Sequence, residues 1–142
     1  MERKIATTSE QSQRLLRCGV SADTADMSWY IESGEINIEK LRLDTELIGC
    51  SYDSPKRHYE YIPAWSLGRL LGLLPKRIKR GGYSDYTLSL SCDGCFWDLE
   101  YTYARYCGED DSLVLFEDVD PTEVCVKAIE WLTANGYKLN EI

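Results

Sequence analysis

The sequence predicts an α+β fold, a small antiparallel sheet packed against helices near 10–18, 64–74 and 121–135. Three stretches carry that expectation. Residues 85–102, "DYTLSLSCDGCFWDLEYT", alternate apolar and polar side chains on both sides of an Asp93-Gly94 turn signal. Residues 120–136, "DPTEVCVKAIEWLTANG", join a helix-starting Asp-Pro to an apolar stripe and an Asn-Gly stop. Residues 63–75, "PAWSLGRLLGLLP", set leucines on one helical face between two prolines.

In chain order, the first helix is expected over 10–18. Thr8 can cap it, with Gln11 as the capping-box partner. Gly19 supplies the left-handed stop, and Val20 folds back onto Leu15. In "SADTADM", Ser21 or Asp23 can start a further short turn. Residues 32–61 are the least legible. "EINIEKLRL" alternates at Ile36 and Ile38, then at Leu41 and Leu43, and the slip between the pairs implies a bulge, a turn or no strand. "SYDSPKRHYEY" reads as loop. Pro63 then fits a first helical position and Pro75 a stop, with Leu67, Leu70, Leu71 and Leu74 on one face. Gly68 and Gly72 share another side, where either a second backbone packs closely or glycine is merely tolerated.

The hairpin is expected over 84–92 and 95–105. With Asp93-Gly94 as a two-residue turn, Cys92 faces Cys95, Leu90 faces Trp97, Leu88 faces Leu99 and Tyr86 faces Tyr101. All of these point to one face. The other face carries Asp85, Thr87, Ser89 and Ser91 opposite Thr102, Glu100, Asp98 and Phe96, polar apart from Phe96. "SLVLF", 112–116, supplies a third strand. The last helix, 121–135, takes Asp120 as N-cap and Pro121 as its first residue. Val124, Cys125, Ala128, Ile129, Trp131 and Leu132 form its apolar stripe, and Glu123 and Lys127 an i,i+4 pair.

Composition bounds the function. The chain has 142 residues, enough for a single domain spanning 1–142. No apolar run approaches the ~20 residues a bilayer span needs, and the opening "MERKIATTSEQSQRLL" has no signal-peptide core, so a cytoplasmic protein without membrane contact is expected. The net charge of −8 disfavours nucleic acid as a partner, because neutralising phosphate takes excess Lys and Arg. It also admits an alternative, an acidic decoy or anti-defence protein. Cys92 and Cys95 are expected to be small core-facing thiols beside the turn, with a labile redox pair or a metal half-site as the competing readings. Zinc would need two further ligands. The only histidine is His58, and no spacing brings it, Cys50 or Cys107 to the hairpin. No metal and no cofactor are expected.

"KRIKRGG", 76–82, is the one basic cluster. Lys76, Arg77, Lys79 and Arg80 follow a helix, where the macrodipole favours cations. The functional alternative is a phosphate contact, aided by Lys56, Arg57 and His58. The acidic runs at 109–111 and 117–120 lack calcium-loop spacing and read as a solvated loop and a helix start. Ten tyrosines against two phenylalanines favour surfaces that are half apolar and half wet. Tyr83, Tyr103 and Tyr106, near Tyr86 and Tyr101, are the candidate interaction surface. Phosphate-loop, dinucleotide, zinc-protease and serine-hydrolase motifs are all absent, so no catalytic residue is assigned.

"TSEQSQRLLRCGVSADTADMSW", "PAWSLGRLLGLLP" and "EVCVKAIEWLTANGY" resemble a family of short uncharacterised proteins encoded in bacterial prophages and other integrated elements. The resemblance covers both ends and the middle helix and implies a cytoplasmic product of a mobile element. It transfers no activity and no functional residue. The function expected is therefore a non-enzymatic accessory protein that binds another protein, with a nucleic-acid-associated factor using 76–80 as the alternative and an enzyme or metal protein using His58 or the cysteines as the third reading.

Overall fold

The computed structural model describes residues 6–32, 39–43, 59–80, 84–103 and 111–141. The fold is α+β, with two antiparallel sheets. The chain forms two compact units, Met1–Leu70 and Leu71–Ile142, and the boundary falls within a short helix.

The first unit opens with helix α1, Ser9–Arg17. Its start is the expected capping box: Thr8 Oγ1 accepts the Gln11 N–H at 3.2 Å, and Gln11 Oε1 accepts the Thr8 N–H at 3.0 Å. Its end is the expected glycine stop. Gly19, at φ 91°, lets the Val20 N–H reach the Leu15 carbonyl at 3.1 Å. A 3-10 turn over Ala22–Thr24 follows, capped by Ser21, whose hydroxyl accepts the Asp23 N–H.

Three strands follow: β1 (Met27–Glu32), β2 (Glu39–Leu43) and β3 (Tyr59–Ala64), in the order β2-β1-β3. Here the structure corrects the sequence expectation. The stretch around Tyr59–Tyr61 is strand rather than loop, and Pro63 lies in β3 opposite Ser28 rather than starting a helix. An edge strand tolerates proline because it need not donate on both sides. Leu41 and Leu43 stand in register with Trp29 and Met27, so that half of the uncertain alternation is a strand. The other half, Ile36 and Ile38, lies outside the described residues.

Thr7 joins this sheet to α1. Its N–H donates to the Trp65 carbonyl at 2.9 Å, and its hydroxyl accepts the Trp65 N–H at 3.0 Å and bonds Ser12 Oγ at 2.8 Å. Its carbonyl accepts the Trp29 indole N–H at 2.7 Å. Thr7, Ser12 and Trp65 are all buried, and among the described residues no buried side-chain polar atom lacks a partner. Asp26 then grips Ser66 through both its N–H and its hydroxyl. Ser66 Oγ in turn accepts the Arg69 N–H at 3.2 Å, capping helix α2, Leu67–Leu73. The helix therefore starts three residues later than the expected 64. A Cβ built on Gly68 would meet nothing nearer than Ser66 Oγ at 4.0 Å, so glycine there marks tolerated open space, not a close crossing.

The second unit is a four-stranded sheet, β4 (Arg77–Arg80), β5 (Ser84–Cys92), β6 (Trp97–Tyr103) and β7 (Asp111–Asp118), with order β4-β5-β6-β7. Helix α3, Pro121–Ala134, packs on β6 and β7. Leu99 and Tyr101 are fully buried beneath it, and the Tyr101 hydroxyl donates to the Pro75 carbonyl at 2.8 Å. Asp120 caps α3 by accepting the Thr122 N–H at 3.0 Å. Gly136, at φ 79°, ends it, with the Tyr137 N–H on the Leu132 carbonyl. Val126 joins the expected stripe as a buried residue, whereas Trp131 is half-buried and stacks on Tyr137 at 5.6 Å. Near the chain end, Asn140 donates to the carbonyls of Gly72, Leu73 and Leu74, satisfying acceptors that the end of α2 leaves open.

Candidate functional site

The β5–β6 hairpin keeps its expected faces but not its expected register. Leu90 pairs with Leu99, Leu88 with Tyr101 and Cys92 with Trp97, in place of Trp97, Leu99 and Cys95. The Asp93 carboxylate accepts the N–H groups of Cys95 (3.1 Å) and Phe96 (2.9 Å), and the Asp93 N–H donates to the Phe96 carbonyl. These bonds make Gly94-Cys95 the centre of the turn, with Gly94 at φ 99°. Moving a turn by one residue shifts pairing by two, and a shift of two preserves which residues share a face. The same bonds hold the Asp93 carboxyl below its ordinary pKa, the Phe96 N–H contributing most.

The correction changes the standing of the cysteines. Cys92 and Cys95 are exposed free thiols rather than core residues, and Leu90 and Trp97 are half-buried. Cys125 is the buried thiol. Burial pushes its pKa up to about 12, with the Asp120 charge adding to the effect, so it stays protonated and inert. Among the described residues no three His, Cys, Asp or Glu side chains converge to hold a metal. Cys50, His58 and Cys107 lie outside them.

Of the candidate interaction surface, Tyr103 is half-buried on the helix-facing side of the sheet, its ring tilted on Tyr86 at 6.1 Å. Tyr83 and Tyr106 lie outside the described residues, as do Lys56 and Arg57.

The basic segment is corrected from a helix-end turn to an edge strand. Arg77, Ile78, Lys79 and Arg80 form β4, paired with Thr87, Tyr86, Asp85 and Ser84. Ile78 faces the core, while Lys76, Arg77 and Lys79 are exposed. Cations on a short edge strand oppose pairing with like edges, which supplies a structural reason for the cluster that the dipole of α2 does not.

The opposite edge differs. β7 has eight residues. A bulge between Tyr101 and Thr102 gives β7 the extra residue Leu113. On the solvent face, Leu115 stands opposite Glu100 and Glu117 opposite Asp98. Leu115 is 45% exposed, Val119 just beyond the strand 68%, and Phe96 at the same end of the ladder 48%. On the inner face, Asp118 meets Lys127 at 3.2 Å, so Lys127 reaches across to β7. The Asp120 N–H and then Lys127 hold the Asp118 carboxyl below its ordinary pKa. Sequence reasoning missed this edge, although "SLVLF" carried the signal: a strand apolar at consecutive positions must turn some of them away from a one-sided core.

No helix among the described residues is long and apolar enough to cross a membrane. Compared with protein-family models, curated proteins and solved structures, the chain matches none.

Proposed function

We propose that the chain is a non-enzymatic protein-binding module, a cytoplasmic accessory of a prophage or mobile element, which docks an extended segment of a partner along β7. The observation that carries this is the contrast between the two edges of one sheet. β4 is four residues long and guarded by cations, whereas β7 is eight residues long and presents Leu115, with Phe96 and Val119 exposed at its end. Among the described residues β7 has a strand partner on one side alone, and an edge of that kind offers its backbone N–H and C=O groups to an added strand, while alternate side chains supply specificity. The likeness of the opening stretch to prophage-encoded proteins supports the biological setting.

The nucleic-acid alternative gains less support. Lys79 faces Asp85, and the solvent face that carries Arg77 and Lys79 also carries Asp98, Glu100 and Glu117. That acid-bearing face is the feature an acidic decoy would use, and displacement of DNA from a host DNA-binding protein would favour it.

The test is capture of a partner from cells carrying the parent element, with Leu115→Glu and Val119→Glu compared with the unmodified chain. Loss of that partner, together with slowed hydrogen exchange along β7 in the native complex, is the expected outcome. Undiminished capture by both variants would sink the proposal.

A further inference from the structure

We infer that β7 accepts strand β4 of a second copy of this chain, joining sheets edge to edge, head to tail. The inference rests on β7 as a docking edge and names its occupant. Its starting point is a like-charge pair. Glu117 stands opposite Asp98 on the solvent face, with Ser91 on the far side of Asp98. Carboxylates directly opposite each other in a ladder repel, and a cation brought to the open side of Glu117 would relieve them. β4 carries such a cation. Arg77 is exposed and its cross-strand neighbour is the neutral Thr87, whereas Lys79 already has Asp85.

Direction and register agree. Each neighbouring pair of strands in this sheet is antiparallel, so a second copy added in the same orientation brings its β4 antiparallel to β7, with the solvent faces on one side. Setting Arg77 opposite Glu117 then places Ile78 opposite Phe116 on the inner face and Lys79 opposite Leu115 on the outer one. Arg77 answers the acid pair, Ile78 meets an apolar ring, and the aliphatic stem of Lys79 covers an exposed leucine.

The like-with-like alternatives fare worse. Two β4 strands centred on Ile78 would set Arg77 of each opposite Lys79 of the other. Two β7 strands centred on Leu115 would set Leu115 on Leu115 but Glu117 of each on Leu113 of the other, and would bring no cation to the acid pair of Asp98 and Glu117. Two β4 edges repel and two β7 edges leave the acid pair unanswered, so the head-to-tail contact is the one that supplies its cation. A contact of that type closes into a ring or continues as a filament.

Sedimentation velocity over a range of protein concentrations tests this, with Arg77→Glu, Glu117→Arg and the combined charge swap alongside the unmodified chain. Both positions are solvent-facing, and circular dichroism of each variant checks whether it is folded before its assembly is compared. The expected result is salt-sensitive assembly that grows beyond the dimer, weakened about tenfold or more by either single change and restored by the swap. A protein that stays monomeric at every concentration overturns the inference, as does a closed dimer indifferent to Arg77→Glu, or a swap that restores nothing. If the chain is monomeric yet still captures a foreign partner through Leu115, only the identity of the occupant fails. If Leu115→Glu and Val119→Glu change neither assembly nor capture, β7 itself fails as the docking edge.

Discussion

Single residues divide here into those held by burial and those held by hydrogen bonds. Leu99 belongs to the first group: it is fully buried in the central strand β6, under α3. Leu99→Ala should cost roughly 2–5 kcal/mol in urea unfolding, the transfer loss plus an unfilled cavity. Asp118 belongs to the second. Its pKa is lowered from 3.8 first by the Asp120 N–H and then by Lys127, so its contribution is present above that value. It is lost as pH falls through the depressed folded value. Asp118→Asn can still accept the Asp120 N–H but removes the charge facing Lys127. Because both side chains are partly exposed, the loss at neutral pH should be no more than about 1 kcal/mol, and the acid limb of the stability profile should flatten. The thiols separate by the same logic. Alkylation followed by peptide mass analysis should label Cys92 and Cys95 in the native protein at mildly alkaline pH. Cys125, with its pKa pushed up to about 12, should react only after unfolding.

Elements were legible in the sequence where their determinants lie within a few residues. Thr8 with Gln11, Asp120 with Pro121, and the glycines at 19 and 136 define both long helices locally, and all stand as expected. The hairpin faces were legible because parity survives a turn placed one residue out. The register was not, because it depends on a side-chain choice: Asp93 accepts the N–H groups of Cys95 and Phe96 and so starts the turn instead of occupying its centre. Gly94→Ala tests the placement. At φ 99° an alanine is strained, so the hairpin should lose about 1–2 kcal/mol although open space surrounds the added methyl. A thermal melt unchanged by the substitution would contradict this turn. Strands β1 and β3 were illegible for another reason. Met27 finds its partner at Ala64, and nothing local in "YEYIPA" announces an edge strand whose proline is harmless. β4 escaped notice because Ile78 is the only apolar residue in its four, too few for alternation to show.

At the scale of the whole chain, charge sets which partners are expected. The net charge is −8, and the described cations of β4 share a sheet face with Asp85, Asp98, Glu100 and Glu117. The candidate docking edge was hidden in the sequence because the side Leu115 faces depends on how β7 pairs with β6, and "SLVLF" alone assigns no pairing. The basic cluster was visible, but its meaning depended on whether it ended a helix or edged a sheet. As an edge it has a role that needs no phosphate. The unmodified protein should therefore form no micromolar complex with duplex DNA or single-stranded RNA at low ionic strength. Were Lys76, Arg77, Lys79 and Arg80 gripping phosphates, the logarithm of the affinity for duplex DNA would fall against that of salt concentration with a slope of about −0.9 per contact. Changing all four to Gln would then abolish both the affinity and the slope. A gel shift or fluorescence titration showing that pattern would make β4 a nucleic-acid site and leave the acid pair of Asp98 and Glu117 without its cation. A flat titration, with assembly that still responds to Arg77, keeps the cations of β4 as one half of a contact whose other half is β7.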